Sequence, residues 1–463
     1  MTGPSPAFRD RLAALLRPDQ LLRSEAERWA YGGDNSRRQA LPDLVCFPES
    51  HDEVREVVRL CHRHRVPLVP RGRGTGTTGA VVPEGGGVVL STERMTRLEA
   101  VNTADRYLVV EPGVTNAEVQ AAAAACGFFW APDPTSAAFS SVGGNLAYNS
   151  AGPRAVKYGT PRENTLGLRA VTGDGRELRT GVRTTKGVVG YDLTRLLIGS
   201  EGTLAVITEA TLKLLPLPGA HRTLRLGYTG TDAATEAIAR IMAQPVVPCA
   251  VEFMDAAALD LVRGEVGLPA EVRALLLVEV DGAARHIDDD TGAVLAAARV
   301  DGLVEARRAG DDAEAAQLWA ARKALSPALR RVAPDKINED VVVPVSALPR
   351  LVAGLEAIAA RRGIAIVNFG HAGNGNLHVN LLYDATDSRQ RAAAEAALDE
   401  VFALVLDLHG TLSGEHGVGI AKRDHVIREL DPDALALMHR LKAVFDPAGI
   451  LNPGKTLPNP ATE

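Results

Sequence analysis

NFGHAGNGNLHVNLL, residues 368–382, decides the architecture of the second half of this chain. Asn374-Gly375 lies between two apolar runs. Asn-Gly is the strongest short hairpin signal, because a two-residue type I′ turn needs positive φ at both central positions. In that register Gly373 faces Asn376, Ala372 faces Leu377 and His371 faces His378. Opposed residues hold their Cβ atoms ~4.5–5.5 Å apart, close enough for two imidazoles to share a metal ion at N–metal distances of about 2.0–2.1 Å. A helix would separate residues seven apart by roughly 10 Å along its axis, and the three glycines of the stretch oppose a helix in any case. An antiparallel hairpin with two candidate metal ligands is expected.

Outward from the hairpin, apolar periodicity predicts strands at 249–254, 275–281, 339–345, 364–370 and 377–383, with Ala-rich helices at 233–243, 312–333, 349–362, 388–409 and 433–445. Towards the N-terminus, residues 7–30 read as helical around Pro18 and 44–47 (LVCF) as a strand. Ser50 and Glu53 form a capping box for a helix to about Arg65, and VPLVP (66–70) is a short strand. Asn116 caps a helix that Gly127 ends. Residues 132–203 are dense in Gly, Ser, Thr and Asn and read as loops, and 204–219 alternates like a strand before a Pro/Gly break.

RGRGTGTTGA (71–80) contains a G-x-G-x-x-G match. A Rossmann site needs those glycines to open a helix. AVVPEGGG follows instead, which no helix tolerates, so the Rossmann reading is rejected, and no Lys-Ser/Thr follows the glycines of this run as a P-loop requires. Unshielded backbone N–H groups in such a run still cradle phosphate oxygens, with Arg71 and Arg73 adding charge.

The chain's 463 residues allow more than one domain, and its 46% hydrophobic and 23% charged content is that of a globular protein. A net charge of −6 offers no basic field for nucleic acid. The four cysteines (Cys46, Cys61, Cys126, Cys249) are scattered, which disfavours an iron–sulfur cluster or disulfide framework and fits a reducing compartment. The N-terminus carries charges where a secretory leader needs an apolar run, and no stretch of about 18 uncharged apolar residues spans a membrane. A cytoplasmic protein, free or attached peripherally at the inner membrane face, is expected.

Six stretches in order carry a resemblance: PRGRGTGTTGA (70–80), DPTSAAFSSVGGNLAYNSAGPRAVKYG (133–159), KGVVGYDLTRLLIGSEGTLAVITEATL (186–212), GHAGNGNLHVN (370–380), SGEHGVG (413–419) and FDPAGILNPGK (445–455). Over about residues 40–457 the chain resembles the FAD-linked D-2-hydroxyacid dehydrogenases, a family that includes D-lactate dehydrogenase, D-2-hydroxyglutarate dehydrogenase and the catalytic glycolate oxidase subunit, within the vanillyl-alcohol oxidase superfamily. The resemblance implies an α+β protein. A helical segment (1–38) would precede a two-part FAD-binding domain of the vanillyl-alcohol oxidase type (39–218), and an α+β cap domain on an antiparallel sheet (219–458) would carry the metal site.

Carried over by motif, FAD is expected at Pro70, Arg71, Gly72, Gly74, Thr75 and Gly76 of the first loop. Pro134, Ser140, Val142, Gly143, Gly144, Asn145, Asn149 and Gly152 of the second stretch, and Gly202, Ile207 and Asn452, complete that set. No histidine lies between Arg65 and Ala80, so non-covalent FAD is expected. Glu415 completes a His₂Glu set with His371 and His378, suited to zinc or manganese with a position open for substrate. The family usually has Asp where Asn374 stands; if that residue's task is the turn, Asn serves as well.

The implied reaction is oxidation of a D-2-hydroxyacid (D-lactate, D-2-hydroxyglutarate or glycolate type) to the 2-oxoacid, with metal-assisted hydroxyl activation, His416 as base and hydride transfer to flavin N5. Arg322, Ser326, Lys336 and Asn380, with His416, match substrate-contacting positions. The electron acceptor (quinone, electron-transfer flavoprotein, cytochrome or oxygen) stays open, as does assembly as a homodimer or oxidase-complex subunit. Two rival readings are a non-redox flavoprotein of the same superfamily and a zinc hydrolase with a nucleotide-binding domain. A third, a non-catalytic oxidase subunit, has no need of an intact metal and base set.

Overall fold

The computed structural model of the protein describes residues 3–459. The chain divides into two compact units, one from residues 1–151, 159–217 and 415–463, the other from 152–158 and 218–414. One break between the units falls at Leu217/Pro218. Residues 415–463 group with the first unit and 152–158 with the second.

The first unit contains two four-stranded sheets. In one, Leu44–Cys46 and Leu68–Arg71 run parallel to Val88–Ser91 on either side of it. The helix His51–His64 links the first two of these strands and buries Val54, Val57, Val58 and Cys61 against them. Ser50 caps it by accepting from Glu53 N (3.3 Å). The capping box is only half formed, since the Glu53 carboxylate accepts from Glu49 N (2.6 Å) and Gln20 instead. The second sheet is antiparallel, in the order Tyr107–Val110, Ala205–Lys213, Thr165–Thr172, Glu177–Gly181.

Three local expectations are corrected here. Residues 7–30 are not one helix. The helix Pro6–Leu15 stops before Pro18, the chain makes a short strand, Leu21–Leu22, and Ser24 caps a new helix, Glu25–Trp29. The residue before a proline is pushed to extended backbone, and Arg17 is extended, with ψ 155°. Thr115, not Asn116, caps the helix Asn116–Ala124, in a full box with Glu118. The 132–203 stretch is not all loop. Besides two strands, it holds the helix Val142–Tyr148, capped by Ser141. The first glycine run opens no helix, consistent with rejecting Rossmann.

The second unit is built on a seven-stranded sheet, in the spatial order Leu303–Arg308, Ala220–Tyr228, Ala274–Gly282, Ala250–Met254, Ala365–His371, Asn376–Tyr383, Asp335–Val342, every pair antiparallel. The five strands and five helices expected are present within a few residues at each end, except that 335–338 extends one strand and 343–345 lies outside it; the last of the helices, Pro432–Phe445, belongs to the first unit. The strands Ala220–Tyr228 and Leu303–Arg308 and the helices Ala256–Val266 and Ile287–Ala297 are additions. Period-2 alternation sorts the two faces. Leu224, Leu226, Phe253, Leu276, Val278, Val341, Leu377 and Val379 point to one face, under the helices Thr231–Ala243, Leu348–Arg362 and Ser388–Asp407. On the opposite face Met254, Leu275, Leu277, Val367, Phe369 and Leu382 cluster with Leu259, Val262, Leu318 and Leu325 of two further helices.

The hairpin register differs from the one predicted. Phe369, not His371, pairs with His378, and Val367 pairs with Asn380. The connection is four residues, a 3-10 turn Ala372–Asn374 followed by Gly375 at φ 74°, closed by Gly375 N donating to Ala372 O (2.9 Å). Asn374 keeps an ordinary φ, so the type I′ turn is not formed. A shift of two residues leaves every side chain on its face, because the sheet's side-chain period is two. His371 and His378 therefore remain on one face as diagonal neighbours.

A Cβ on Gly375 would stand 1.8 Å from Val343 O, at a positive φ. Gly375→Ala is expected to destabilise the second unit by at least about 2 kcal/mol, read as a lowered urea or thermal midpoint. Among the described residues no helix is long and apolar enough to cross a membrane.

Candidate active site

The polar face of the seven-stranded sheet gathers the candidate residues of the second unit. Across the strands, Glu252 pairs with His371, Asp340 with His378, Asn338 with Asn380 and Lys336 with Leu382. The His371 and His378 rings stand 5.1 Å apart at 85° to one another. One ring nitrogen of each and a Glu415 carboxylate oxygen lie within 4.8 Å of one another.

Peptide connectivity delivers Glu415. Buried Asp340 accepts from Ser413 Oγ (3.2 Å) through Oδ2 and from Gly414 N (3.1 Å) through Oδ1, and its main-chain oxygen accepts from Gly414 N (3.0 Å). Asn376 Nδ2 donates to the same carboxylate (2.8 Å). A Cβ on Gly414 would lie 2.7 Å from Asn376 Nδ2, so only glycine lets the chain come this close. Glu415 and His416 are the next two residues. Asn374 is exposed at the hairpin tip.

Glu252 was not anticipated. It is 1% exposed, and its Oε1 lies 2.5 Å from His371 Nδ1 while Oε2 lies 2.8 Å from Arg322 Nη2. Burial alone would push this carboxyl up, but the charges of His371 and Arg322 hold it well below its ordinary value. With Nδ1 engaged, His371 presents Nε2 outward, the arrangement by which a carboxylate fixes the tautomer of a ligating histidine. The signal in the sequence was a lone acid inside an apolar strand, AVEFM, where a buried charge needs partners.

Arg322, on the helix Asp312–Ala328, is buried, with its guanidinium carbon 4.7 Å from the Phe369 ring centroid. Its Nε has no hydrogen-bond partner among the described residues. Ser326 lies one turn further on the same helix face and accepts from Lys336 Nζ (3.3 Å). Asn380 is fully buried. Its Nδ2 donates to Val367 O (3.1 Å) and His378 O (3.2 Å), and its Oδ1 has no partner among the described residues. Arg322 and Asn380 thus each bury an unanswered polar atom.

In the first unit a cleft is lined by Pro70, Arg71, Gly72, Gly143, Gly144, Gly202 and Ile207, together with Tyr148, Ser200 and Glu201. The two glycine-rich stretches meet there, since a Cβ on Gly72 would stand 2.6 Å from Ser141 Oγ. Arg71 is buried and donates to Gly33 O (2.7 Å). The amides of Val142 and Gly143 are already spent on Val114 O (2.8 Å) and Pro112 O (2.9 Å). Gly144 N donates to the capping Ser141 Oγ (3.4 Å), so the first three amides of this helix are all engaged.

The other candidates support the cleft or lie away from it. Asn452 Nδ2 donates to Ala80 O (2.9 Å) and Glu201 O (2.7 Å), tying two wall residues. Gly76 packs against Tyr148, where a Cβ would lie 2.5 Å from its hydroxyl. Gly74 packs on Arg71, Asn145 accepts from Asn116 Nδ2 (3.2 Å), and Asn149 ends the helix at φ 56° while accepting from Thr160 and Arg162. Val142 is core, Ser140 is buried, Thr75 O accepts from Asn35, Pro134 O accepts from Ala137 N, and Gly152 groups with the second unit.

Residues 42–181 match the FAD binding domain model, and residues 217–456 match the model of the C-terminal domain of FAD linked oxidases. The glycolate oxidase subunit GlcD of Bacillus subtilis is 38% identical over 450 residues, 96% of each chain. D-2-hydroxyglutarate dehydrogenase of Stutzerimonas stutzeri is 34% identical over 97% of this chain and 98% of that protein. The crystal structure of p-cresol methylhydroxylase superposes with a TM-score of 0.79 at 17% identity, covering 98% and 97% of the two chains, which shows the fold. On both domain matches and on relatives similar over nearly its full length, the chain is an enzyme of the FAD-linked oxidase family, an FAD-dependent oxidoreductase.

Proposed function

We propose that this enzyme oxidises a short D-2-hydroxyacid, of the glycolate, D-lactate or D-2-hydroxyglutarate type, to the 2-oxoacid. The observation that carries the reading is the His371–His378–Glu415 cluster, backed by a glutamate that also holds a buried arginine. Such a substrate presents a hydroxyl and a carboxylate on adjacent carbons, which call for a proton acceptor and a cation.

His371, His378 and Glu415 would hold a divalent metal, zinc or manganese, which would supply Lewis-acid stabilisation of the developing alkoxide charge. FAD, bound without a covalent link in a cleft whose lining has no histidine or cysteine, would supply the two-electron acceptor. His416 takes the hydroxyl proton, a general-base role worth roughly 10²–10⁴-fold. Arg322 receives the substrate carboxylate through its guanidinium edge, a charge-assisted bond. Asn380 and the Lys336–Ser326 pair line the same sheet face and orient the substrate.

Glu252 serves both halves of this arrangement by fixing the His371 tautomer and the Arg322 guanidinium. Glu252→Gln is expected to weaken metal binding by about 10–100-fold and to raise KM, measured by metal titration and steady-state kinetics. The reading as a whole is tested by a dye-linked turnover screen of glycolate and the two enantiomers of lactate and 2-hydroxyglutarate. Turnover of glycolate or a D-isomer is expected. Turnover confined to L-isomers, or to none of these acids, contradicts it.

A further inference from the structure

The segment that carries His416 is held by a residue of the cofactor cleft. Glu201 lines that cleft. Its backbone is left-handed, φ 52°, a conformation costing about 1–3 kcal/mol for a residue with a Cβ. Two bonds hold it there: Glu201 N donates to Ala147 O (2.9 Å) and Asn452 Nδ2 donates to Glu201 O (2.7 Å). The side chain is buried, 5% exposed, and its carboxylate meets backbone amides. Oε1 accepts from Val418 N (2.5 Å), and Oε2 accepts from Gly419 N (2.8 Å) and Thr456 Oγ1 (3.0 Å).

Those amides lie two and three residues beyond His416. Between them and His416, Gly417 has φ 78°, and a Cβ there would stand 2.5 Å from Glu201 Oε1 and 2.6 Å from Tyr148 Cδ1. From the first glycine loop, Thr78 Oγ1 donates to His416 O (3.3 Å), and Thr78 O accepts from Ile420 N (2.9 Å) and Ala421 N (3.1 Å). The backbone around His416 is thus pinned at 416, 418, 419, 420 and 421 by loops of the flavin-binding unit. Glu201 is the acidic member of that clamp: burial pushes its carboxyl up, while the bonds from Val418 N, Gly419 N and Thr456 favour the ionised form.

We propose that Glu201 is a positioning residue for the reaction, aiming His416 by anchoring the Val418 and Gly419 amides to the cleft wall. This rests on reading His416 as the base. A side chain that only stabilised the fold would be felt in FAD content and unfolding. A positioning residue acts on kcat and only through His416.

Glu201→Gln keeps the size of the side chain but turns an NH₂ toward one of the two amides. It is expected to lower kcat by about 10–100-fold, the scale of a misplacement near 1 Å, with FAD per chain and the unfolding midpoint unchanged and KM moved by less than about threefold. Glu201→Asp, which keeps the charge one methylene short, carries the same comparison should the glutamine variant lose FAD. In a His416→Ala background the Glu201 substitution is expected to add less than about twofold, since residues acting as one unit are not additive. Full additivity with an impaired His416→Ala, or near-native kcat in both Glu201 variants, overturns the proposal alone. Loss of FAD in both Glu201 variants overturns it as well, by making the role structural. Near-native turnover of His416→Ala overturns the base reading and this proposal with it.

Discussion

Chelation of the purified protein is expected to abolish turnover of its 2-hydroxyacid, and Mn²⁺ or Zn²⁺ to restore it. Two imidazoles and a carboxylate with ligand atoms within 4.8 Å of one another make an open three-ligand set. His371 sits on a strand paired with Glu252, His378 on the next strand, and Glu415 follows a glycine anchored to Asp340 at both its carboxylate and its main-chain oxygen. None of the three positions depends on a long free loop. Without the cation, the developing alkoxide would lose its main electrostatic partner, a stabilisation of several kcal/mol. Activity assays before and after dialysis against a chelator, with metal content measured in parallel, check this. Full activity in metal-free protein would contradict the His₂Glu assignment.

His416→Ala is expected to lower kcat by at least about 10²-fold while FAD remains bound. The imidazole stands next to Glu415 on a backbone clamped by Thr78 and Glu201. Imidazole is the side chain chemically suited to accept a proton near neutral pH. Removing it leaves the cleft lining intact, because His416 is not among the residues that line it. Stopped-flow reduction of the flavin and the FAD absorbance of the purified variant separate the two effects. Near-normal flavin reduction would remove His416 from the mechanism.

Much of this was legible in the sequence, for reasons visible in particular residues. The glycines that keep the 72–87 run from forming a helix also excluded a Rossmann site. The alternating apolar residues of 377–383 fixed which face of the hairpin carries histidine. The register was misread because Asn-Gly favours a tight turn locally, whereas contact with the neighbouring strand set the loop at four residues. Gly375 O accepts from Val343 N (3.0 Å), and Gly375 packs on Val343 O. That contact is long-range and has no local signature. The error was harmless only because it was even.

Glu252 and Glu201 escaped for another reason. A carboxylate's role here depends on what the fold brings to it: a histidine 119 residues away for Glu252, and an amide 217 residues away for Glu201. Pro18 was a plain helix stop, outweighed in the reading by leucines on both sides. Those leucines serve two elements, Leu12 in the first helix and Leu21 in the strand that follows.

Anaerobic mixing of the yellow protein with glycolate, D-lactate or D-2-hydroxyglutarate, followed at the flavin absorbance, tests the central claim most directly. Bleaching of the flavin in a single turnover by at least one of these acids, with formation of one equivalent of the 2-oxoacid, is the expected result. A flavin that stays oxidised with all three would point to a non-redox flavoprotein, and protein purified without FAD to a hydrolytic metal site. Either outcome contradicts the account.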